Sequence, residues 1–266
     1  MSMALPATAS WAVYYSNREP PEAFQPYGLL VLDARYHPSL APLQAAGKTL
    51  YGYVSLGEIE RHHPLYPRVQ AERLLLGENP NWKGSYFVDL RDRRWHTHVL
   101  QELIPQVLSQ GFEGLFLDTL DDAGYLEDNK PYRPRMRQGA IDLVRAIRAR
   151  YPNVPLLLNR AYDLLDTLAP LLAGHLSESC YADYDEATRS YRLVTNAATT
   201  TLLHKALAVK ASHPALRLLS LDYWDPADEP GVARIYAAQR ALGFDPYVAT
   251  LALDRLVAEP QVRRSQ

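Results

Sequence analysis

The stretch GLFLDTLDD, from Gly114 to Asp122, decides the fold of this chain. Its short run of consecutive apolar residues is typical of a strand buried on both faces, and the run stops at the carboxylate of Asp118. A second apolar run, HLSE, stops at Glu178 in the same way. Because parallel strands end at one edge of a sheet, both carboxylates are expected at that edge, where enzymes of this architecture carry their active sites.

Eight short apolar runs recur along the chain, and helical patterns separate most of them. One helical stripe lies within 140–147, and another lies within 232–242 and is followed by Gly243 as a C-terminal cap. The alternation predicts an α/β protein, a (β/α)8 TIM barrel, with a single domain over residues 10–262. The predicted strands are Trp11–Tyr15, Leu29–Leu32, Leu50–Ser55, Gly114–Leu117, Pro155–Leu158, His175–Ser177, Leu218–Leu221 and Tyr247–Leu251.

A ninth apolar run, Tyr86–Leu90, does not fit the alternation because no helical pattern separates it from the third strand. We place it in a long loop after strand three, from residue 56 to about residue 94. Several glycines and prolines in this loop predict an irregular excursion over the barrel mouth. In the helix that follows, Pro105 is expected to introduce a kink.

Composition and charge exclude several classes of function. Of the 266 residues, 47% are hydrophobic, and the formal net charge of −2 argues against a nucleic-acid ligand. No apolar run approaches the roughly 20 residues of a membrane span. The first ten residues do not resemble a signal peptide. The single cysteine, Cys180, excludes an internal disulfide and is expected to be a buried thiol.

Polar residues at the carboxyl ends of the predicted strands are the candidate site. They include no lysine for Schiff-base chemistry and no glycine-rich phosphate cradle. His96 and His98 lie at the start of a helix without a carboxylate partner, so we predict no metal and no cofactor. Asp118 and Glu178 are the predicted catalytic residues. The predicted substrate-binding residues are Asp33, Glu58, Glu60, Asn159, Arg160, Asp222, Tyr223 and Trp224.

Two facing carboxylates are the groups that glycoside hydrolysis requires. Asp118 and Glu178 end strands four and six, which have the same parity and can share one layer of the barrel. Alternate strands lie roughly 10 Å apart, so inward-pointing carboxyl groups are expected about 5–8 Å apart. That range includes both retaining and inverting enzymes. The alternative role for either acid alone is an N-cap of the following helix.

Four segments in this order resemble a known family: YGYVSLGE at 51–58, GLFLDTLDD at 114–122, LNR at 158–160 and SES at 177–179. The sequence resembles the endo-α-1,4-polygalactosaminidases and the glycoside hydrolase domains of PelA type, from exopolysaccharide systems of biofilms. The resemblance covers about residues 10–255. It implies a (β/α)8 barrel that cleaves galactosamine-rich polymers internally, at a periplasmic or extracellular location.

The resemblance also implies roles for individual residues. Asp118 matches the nucleophile and Glu178 the general acid/base of a retaining mechanism, and Glu58 matches a position that binds substrate or tunes the pair. Partly deacetylated galactosamine polymers are cationic, and the acidic strand ends predict a negative mouth that attracts such a substrate. This chain contains no deacetylase region of the kind that follows the hydrolase domain in full-length PelA proteins.

Two other functions remain open from the residues alone. One is a catalytically silent polysaccharide-binding module of a secretion system, and the other is a hydrolase of a different α-linked glycan. The sequence does not determine the acetylation pattern of the substrate, the length of chain cleaved or the oligomeric state.

Overall fold

The computed structural model describes residues 10–129 and 133–260. Thirteen strands lie within these residues. They are β1 Trp11–Tyr14, β2 Leu29–Leu32, β3 Thr49–Ser55, β4 Glu58–Glu60, β5 Leu75–Glu78, β6 Ser85–Val88, β7 Gly114–Asp118, β8 Leu156–Asn159, β9 Gly174–Glu178, β10 Ala182–Asp185, β11 Ser190–Leu193, β12 Arg217–Tyr223 and β13 Asp245–Ala249.

Eight of these strands form one parallel sheet in the order β1-β2-β3-β7-β8-β9-β12-β13. The sheet nearly closes on itself, because the indole Nε1 of Trp11 in β1 donates to the carbonyl of Asp245 in β13 at 2.9 Å. Every residue of β2 and β8 is buried, as expected for strands covered on both faces. The predicted (β/α)8 barrel is confirmed, and all eight predicted strands are present with ends shifted by up to two residues.

Nine α-helices surround the barrel within the described residues. They are α1 Leu40–Ala45, α2 Tyr66–Ala71, α3 Arg93–His98, α4 Ile104–Leu108, α5 Asp122–Asn129, α6 Met136–Arg150, α7 Tyr162–Leu168, α8 Ala197–Ser212 and α9 Glu229–Ala241. Gly243 follows α9 with a φ of 91°, which confirms the predicted cap.

The helix that contains Pro105 is interrupted where the sequence predicts a kink. A π-helical turn, Val99–Leu103, joins α3 to α4, and the N–H of Ile104 donates to the carbonyl of Val99, five residues earlier. Proline lacks an N–H and its ring conflicts with the carbonyl four residues before it. A wider turn immediately before Pro105 accommodates both effects.

The long excursion after β3 lies where the sequence places it, but the expectation that it is irregular is wrong. It contains α2 and a three-stranded antiparallel sheet in the order β4-β6-β5. The ninth apolar run supplies the middle strand, β6, and takes no part in the barrel. Pairing with β4 and β5 satisfies backbone groups that a loop of this length would otherwise leave without partners.

A second addition, the hairpin of β10 and β11, follows β9 and was not predicted from the sequence. Its two strands pair antiparallel, from Ala182 opposite Leu193 to Asp185 opposite Ser190. The turn is held by Asp185, whose Oδ1 accepts from the N–H groups of Ala187 and Thr188. Because β10 begins four residues after Glu178, where β9 ends, the hairpin lies next to this acid at the mouth of the barrel.

No helix of residues 10–129 and 133–260 is long and apolar enough to cross a membrane. Residues 261 and 262, which end the predicted domain, lie outside the described residues.

Candidate active site

Three neighbouring strands end at the residues that form the centre of the site. Asp118 ends β7, Asn159 ends β8 and Glu178 ends β9. These strands are adjacent in the barrel, with Leu117 opposite Leu158 and Asn159 opposite Leu176. The three polar side chains therefore meet at the carboxyl-terminal face, where parallel barrels carry their active sites.

Asn159 joins the two carboxyl groups directly. Its Nδ2 donates to Oδ1 of Asp118 at 2.9 Å and to Oε2 of Glu178 at 2.8 Å. Carboxylate oxygens only accept hydrogen bonds, so the amide nitrogen must face both of them. The distances to this shared nitrogen limit the two acceptor oxygens to a separation of at most about 5.7 Å, close to the spacing of carboxyl groups in retaining glycosidases.

Two tyrosines donate to the remaining oxygens of the pair. The hydroxyl of Tyr53 donates to Oδ2 of Asp118 at 2.8 Å, and the hydroxyl of Tyr223 donates to Oε1 of Glu178 at 2.5 Å. Burial, followed by the charge of the adjacent carboxylate, raises the pKa of both phenols well above its usual value. Both tyrosines therefore stay protonated and act as donors throughout the working pH range.

The carboxyl of Asp118 is harder to ionise than a solvated aspartate. Burial is the largest cause of the raised pKa of Asp118, and the negative charge of Glu178 is the second. Hydrogen bonds from Asn159 and Tyr53 act in the opposite direction because they stabilise the charged form. The protonation of Asp118 is therefore set by the balance between burial and the charge of Glu178, which favour the acid, and these hydrogen bonds, which favour the carboxylate.

The backbone turns sharply behind each of the three central residues. Thr119, Arg160 and Ser179 each follow one of them and have φ values of 62°, 51° and 52°. Left-handed backbone costs about 1–3 kcal/mol at a residue other than glycine, and β-branched Thr119 is the least suited of the three. Buried His175 supports one turn, because its Nε2 lies 2.7 Å from the carbonyl of Arg160.

A groove leads away from Glu178 along α7 and α8. The part next to the acid pair is a cavity of about 200 Å³, and a second part, of about 270 Å³, extends to α5 and α6. The two parts share the lining residues Arg160, Tyr162 and Leu202 and therefore adjoin each other. Glu178 lines this groove and Asp118 does not. An extended ligand in the groove would therefore approach the pair from the side of Glu178.

Comparison with known proteins identifies the family. The model of glycoside-hydrolase family GH114 matches residues 2–263. The chain belongs to this family. It is a glycoside hydrolase, and the paired acids at the mouth of a TIM barrel are the groups that this chemistry requires.

Solved structures and a curated relative are similar to this chain over most of its length. The glycoside hydrolase domain of PelA from Pseudomonas aeruginosa is 26% identical, has a TM-score of 0.83, and the match covers 94% of this chain and 98% of that one. Aspergillus fumigatus Ega3, solved in complex with galactosamine, has a TM-score of 0.71 at 17% identity over 96% of this chain and 97% of that one. An uncharacterized protein of Deinococcus radiodurans is 26% identical over 96% of this chain and 84% of its own length. The resemblance stated from the sequence motifs is confirmed.

The structure gives two of the predicted substrate-binding residues of this GH114 enzyme an internal position. Asp222 is 0% exposed, and its carboxylate accepts from the N–H groups of Tyr181 and Ala182 and from Nε2 of Gln239. It therefore holds the segment that leads into the β10–β11 hairpin. Glu58 is 5% exposed, and both of its carboxylate oxygens are engaged by side chains of the excursion. Both carboxylates are therefore engaged in hydrogen bonds within the protein.

The other predicted substrate-binding residues divide into two groups. Asn159 and Tyr223 contact the acid pair directly, and Arg160 lines the groove, where its Nε lies 3.0 Å from Oδ2 of Asp121. Asp33 and Trp224 lie further out: Asp33 caps a turn by accepting from two backbone N–H groups, and the indole of Trp224 donates to Asp228.

Glu60 lies on the exposed edge of β4. Its closest cation is Arg35, with 4.0 Å between the charged atoms. The structure thus leaves Glu60 in solvent, whereas Glu58, two residues earlier, is buried.

Two tyrosines that are not among the predicted site residues also lie at the site. Tyr53 lies two residues before the end of β3, and Tyr15, just after β1, packs edge-on against it with ring centroids 5.5 Å apart. The charges of Asp118, Glu178 and Asp33 all add to the effect of burial in raising the pKa of Tyr15. The period-two alternation of β3 could have identified Tyr53, because it points to the same side as the strand end.

Replacing Tyr53 by phenylalanine is expected to shift the pH profile. The hydroxyl of Tyr53 lowers the pKa of Asp118 by stabilising its charged form, so the Tyr53→Phe variant should ionise Asp118 only at higher pH. The acid limb of kcat/KM should move upward, and kcat should fall about tenfold or more. A pH–rate profile of both proteins measures this shift.

Tyr151→Phe is the matched control, because its hydroxyl donates to the carbonyl of Leu100, away from the acid pair. An unchanged acid limb in Tyr53→Phe would show that this hydrogen bond does not tune Asp118.

Proposed function

We propose that this GH114 enzyme is an endo-acting, retaining hydrolase of α-1,4-linked polysaccharide rich in galactosamine and N-acetylgalactosamine. The observation that carries the proposal is the shared hydrogen bonding of Asn159 to Asp118 and Glu178, which limits the separation of their acceptor oxygens to at most about 5.7 Å. This spacing leaves room for a sugar between the acids but little for the extra water that an inverting enzyme must hold.

In the proposed reaction Asp118 is the nucleophile and Glu178 is the general acid/base. Asp118 attacks the anomeric carbon while Glu178 gives its proton to the departing glycosidic oxygen, so one C–O bond forms as the other breaks. Water then attacks the glycosyl-enzyme, Glu178 takes a proton from this water, and the carboxylate of Asp118 leaves. Each cycle consumes one water and restores both acids to their starting protonation.

The groove supports this division of roles. A general acid must stand on the side of the leaving group, and Glu178 lines the groove that can hold the leaving part of the chain. Asp118 instead lies between Tyr53 and Asn159, both of which donate to it. Donors of this kind favour an ionised carboxylate, which is the form that attacks.

Charge at the mouth supports a cationic polymer, although less strongly than the sequence suggests. Several acids of the groove are neutralised by arginines: Arg137 contacts Asp128 and Asp163 at 2.6 Å each, and Arg160 contacts Asp121. Other carboxylates have no arginine among the contacts seen in the described part of the chain. These are Asp33, Asp118, Glu178 and Asp183. They leave the centre of the mouth negative and able to attract ammonium groups.

The relatives support the choice of sugar and of location. Ega3, which shares the fold, was solved with galactosamine, and PelA contributes the more similar hydrolase domain. We place the substrate of this enzyme, like the exopolysaccharides implied by the resemblance, in the periplasm or outside the cell.

Neutral replacements of either acid should abolish hydrolysis without unfolding the protein. Asp118→Asn and Glu178→Gln keep the shape of the side chains but remove the nucleophile and the proton donor, so we expect turnover to fall by about 10³-fold or more. Mass spectrometry of partly deacetylated α-1,4-galactosamine polymer after incubation should show a ladder of internal fragments with the unmodified enzyme only.

Glu113→Gln, at the opposite end of strand β7, is the matched control and should produce the same ladder as the unmodified enzyme. Normal turnover by either acid variant would overturn the assignment of roles. Absence of fragments with every protein would reject the galactosamine polymer and direct the search to another α-linked glycan.

The anomeric form of the first product tests the retaining mechanism. A double displacement returns the α configuration of the substrate, so proton NMR during the first minutes should show the α-anomer before mutarotation. Initial release of the β-anomer would establish single displacement and an inverting enzyme.

Salt dependence tests the charge of the substrate. If ammonium groups are attracted by the carboxylates of the mouth, kcat/KM should fall about fivefold or more between low salt and 0.3 M NaCl. The same polymer after full N-acetylation is neutral, and its hydrolysis should vary little with salt. Equal salt dependence for both polymers would argue against electrostatic selection.

A further inference from the structure

The start of the excursion, at Leu56 and Gly57, packs closely against the turn that follows the proposed nucleophile Asp118. The N–H of Leu56 donates to the carbonyl of Asp118 at 3.0 Å, and the N–H of Gly57 donates to Oγ1 of Thr119 at 2.8 Å. An ideal Cβ on Gly57 would lie only 2.1 Å from the carbonyl oxygen of Thr119 and 2.9 Å from Oδ2 of Asp122. Only glycine therefore permits this approach, which brings residues 55–58 and 118–122 together.

Glu58 is the buried anchor of this contact. One of its carboxylate oxygens accepts from Nδ2 of Asn79, and the other accepts from Oγ of Ser85. Asn79 and Ser85 lie at the two ends of the β5–β6 connection, and the backbone N–H of Asn79 also donates to the carbonyl of Ser85. A single carboxylate thus fastens the far end of the excursion to its starting point.

Asp122 faces Glu58 from the other side of the contact. Its Oδ2 is buried and receives a hydrogen bond from no donor of the described residues. The negative groups that act on Asp122 are Glu58, Asp121 and Asp118, and Arg160, the cation of this region, already pairs with Asp121. A buried carboxylate oxygen without a donor, beside a second buried carboxylate, is costly unless a proton lies between them.

We propose that Glu58 and Asp122 share one proton, and that the resulting carboxylic acid–carboxylate pair positions the nucleophile Asp118. In this pair the carboxyl of Asp122 donates to Glu58, whose other interactions with Asn79 and Ser85 remain in place. Neither residue contacts substrate, so both are positioning residues. Of the two roles that the resemblance implies for Glu58, substrate binding and tuning of the catalytic pair, this proposal is nearer to the second.

The titration of Asp122 agrees with the geometry. Burial is the largest cause, and the charge of Glu58 is the next, of a rise in the pKa of Asp122 to about 10. The folded protein therefore keeps a proton that the unfolded chain releases near pH 4. The contribution of this site to the free energy of unfolding is greatest below that pH, and it falls progressively as the pH rises toward the pKa of Asp122 in the folded state.

The Glu58–Asp122 pair acts on Asp118 through residues 56 and 57, the segment that it holds against the turn. The carbonyl of Asp118 and the side chain of Thr119 both accept from residues 56 and 57, and Thr119 keeps its left-handed backbone, with a φ of 62°, under that restraint. Release of Glu58 from Asp122 would free this segment and let the turn relax. The nucleophile would then lose its fixed orientation without any change in the groove.

The shared proton is tested by the pH dependence of thermal unfolding. Asn at position 122 donates to Glu58 permanently and has no proton to lose, so the Tm of Asp122→Asn should rise relative to that of the unmodified protein as the pH increases. We expect the difference between the two proteins to grow by about 5 °C or more between pH 6 and pH 9.

Asp142→Asn, on the exposed surface of α6, is the matched control and should show a constant difference in Tm. A constant difference for Asp122→Asn as well would mean that no shared proton is present, and would overturn the proposal.

The positioning role is tested by separating kcat from KM, and this part rests on the proposed hydrolase function. Asp122→Ala removes the link, so kcat should fall about tenfold or more while KM stays within about twofold. A raised KM with unchanged kcat would instead assign Asp122 and Glu58 to substrate binding. Because the measurement of Tm needs no substrate, a wrong choice of glycan would leave the test of the shared proton intact.

Discussion

Repulsion between two partly buried carboxyl groups is the constraint on which this site depends. Asp118 and Glu178 both accept from the single Nδ2 of Asn159, so the barrel holds them at a distance where the charge of Glu178 adds to burial in raising the pKa of Asp118. The strands supply the required rigidity, because each acid ends a fully paired strand of the barrel. The proposed reaction uses these two acids in different protonation states, one as the proton donor and the other as the nucleophile.

The same principle operates a second time behind the nucleophile. Glu58 and the Oδ2 atom of Asp122 are buried at the contact between the excursion and the turn after β7, where two negative charges would separate the segments. One proton between them converts this repulsion into a hydrogen bond. The contact that holds the excursion in place therefore depends on pH. The barrel beneath it is held by apolar packing and backbone pairing, which do not titrate.

Backbone strain accompanies these polar contacts. Thr119, Arg160 and Ser179 adopt left-handed conformations directly after the three central residues. Each turn ends its strand abruptly and sends the chain outward, while the last side chain of the strand remains directed at the mouth. Strained residues persist only where surrounding structure over-determines them, and here side-chain hydrogen bonds to Thr119 and the contact of His175 with the carbonyl of Arg160 have that function.

The sequence by itself determined the barrel and its two acids. A run of consecutive apolar residues that ends at a carboxylate is a local feature, so it can be recognised without knowing which segments pack against it. Asn159 and Tyr223 also followed from their positions at strand ends. Only the tertiary structure showed that Asp222 and Glu58 are internal, since burial depends on segments distant in the chain, such as Gln239 and Asn79. The ordered sheet of the excursion and the Glu58–Asp122 contact likewise arise from pairing across long separations, which no local pattern encodes.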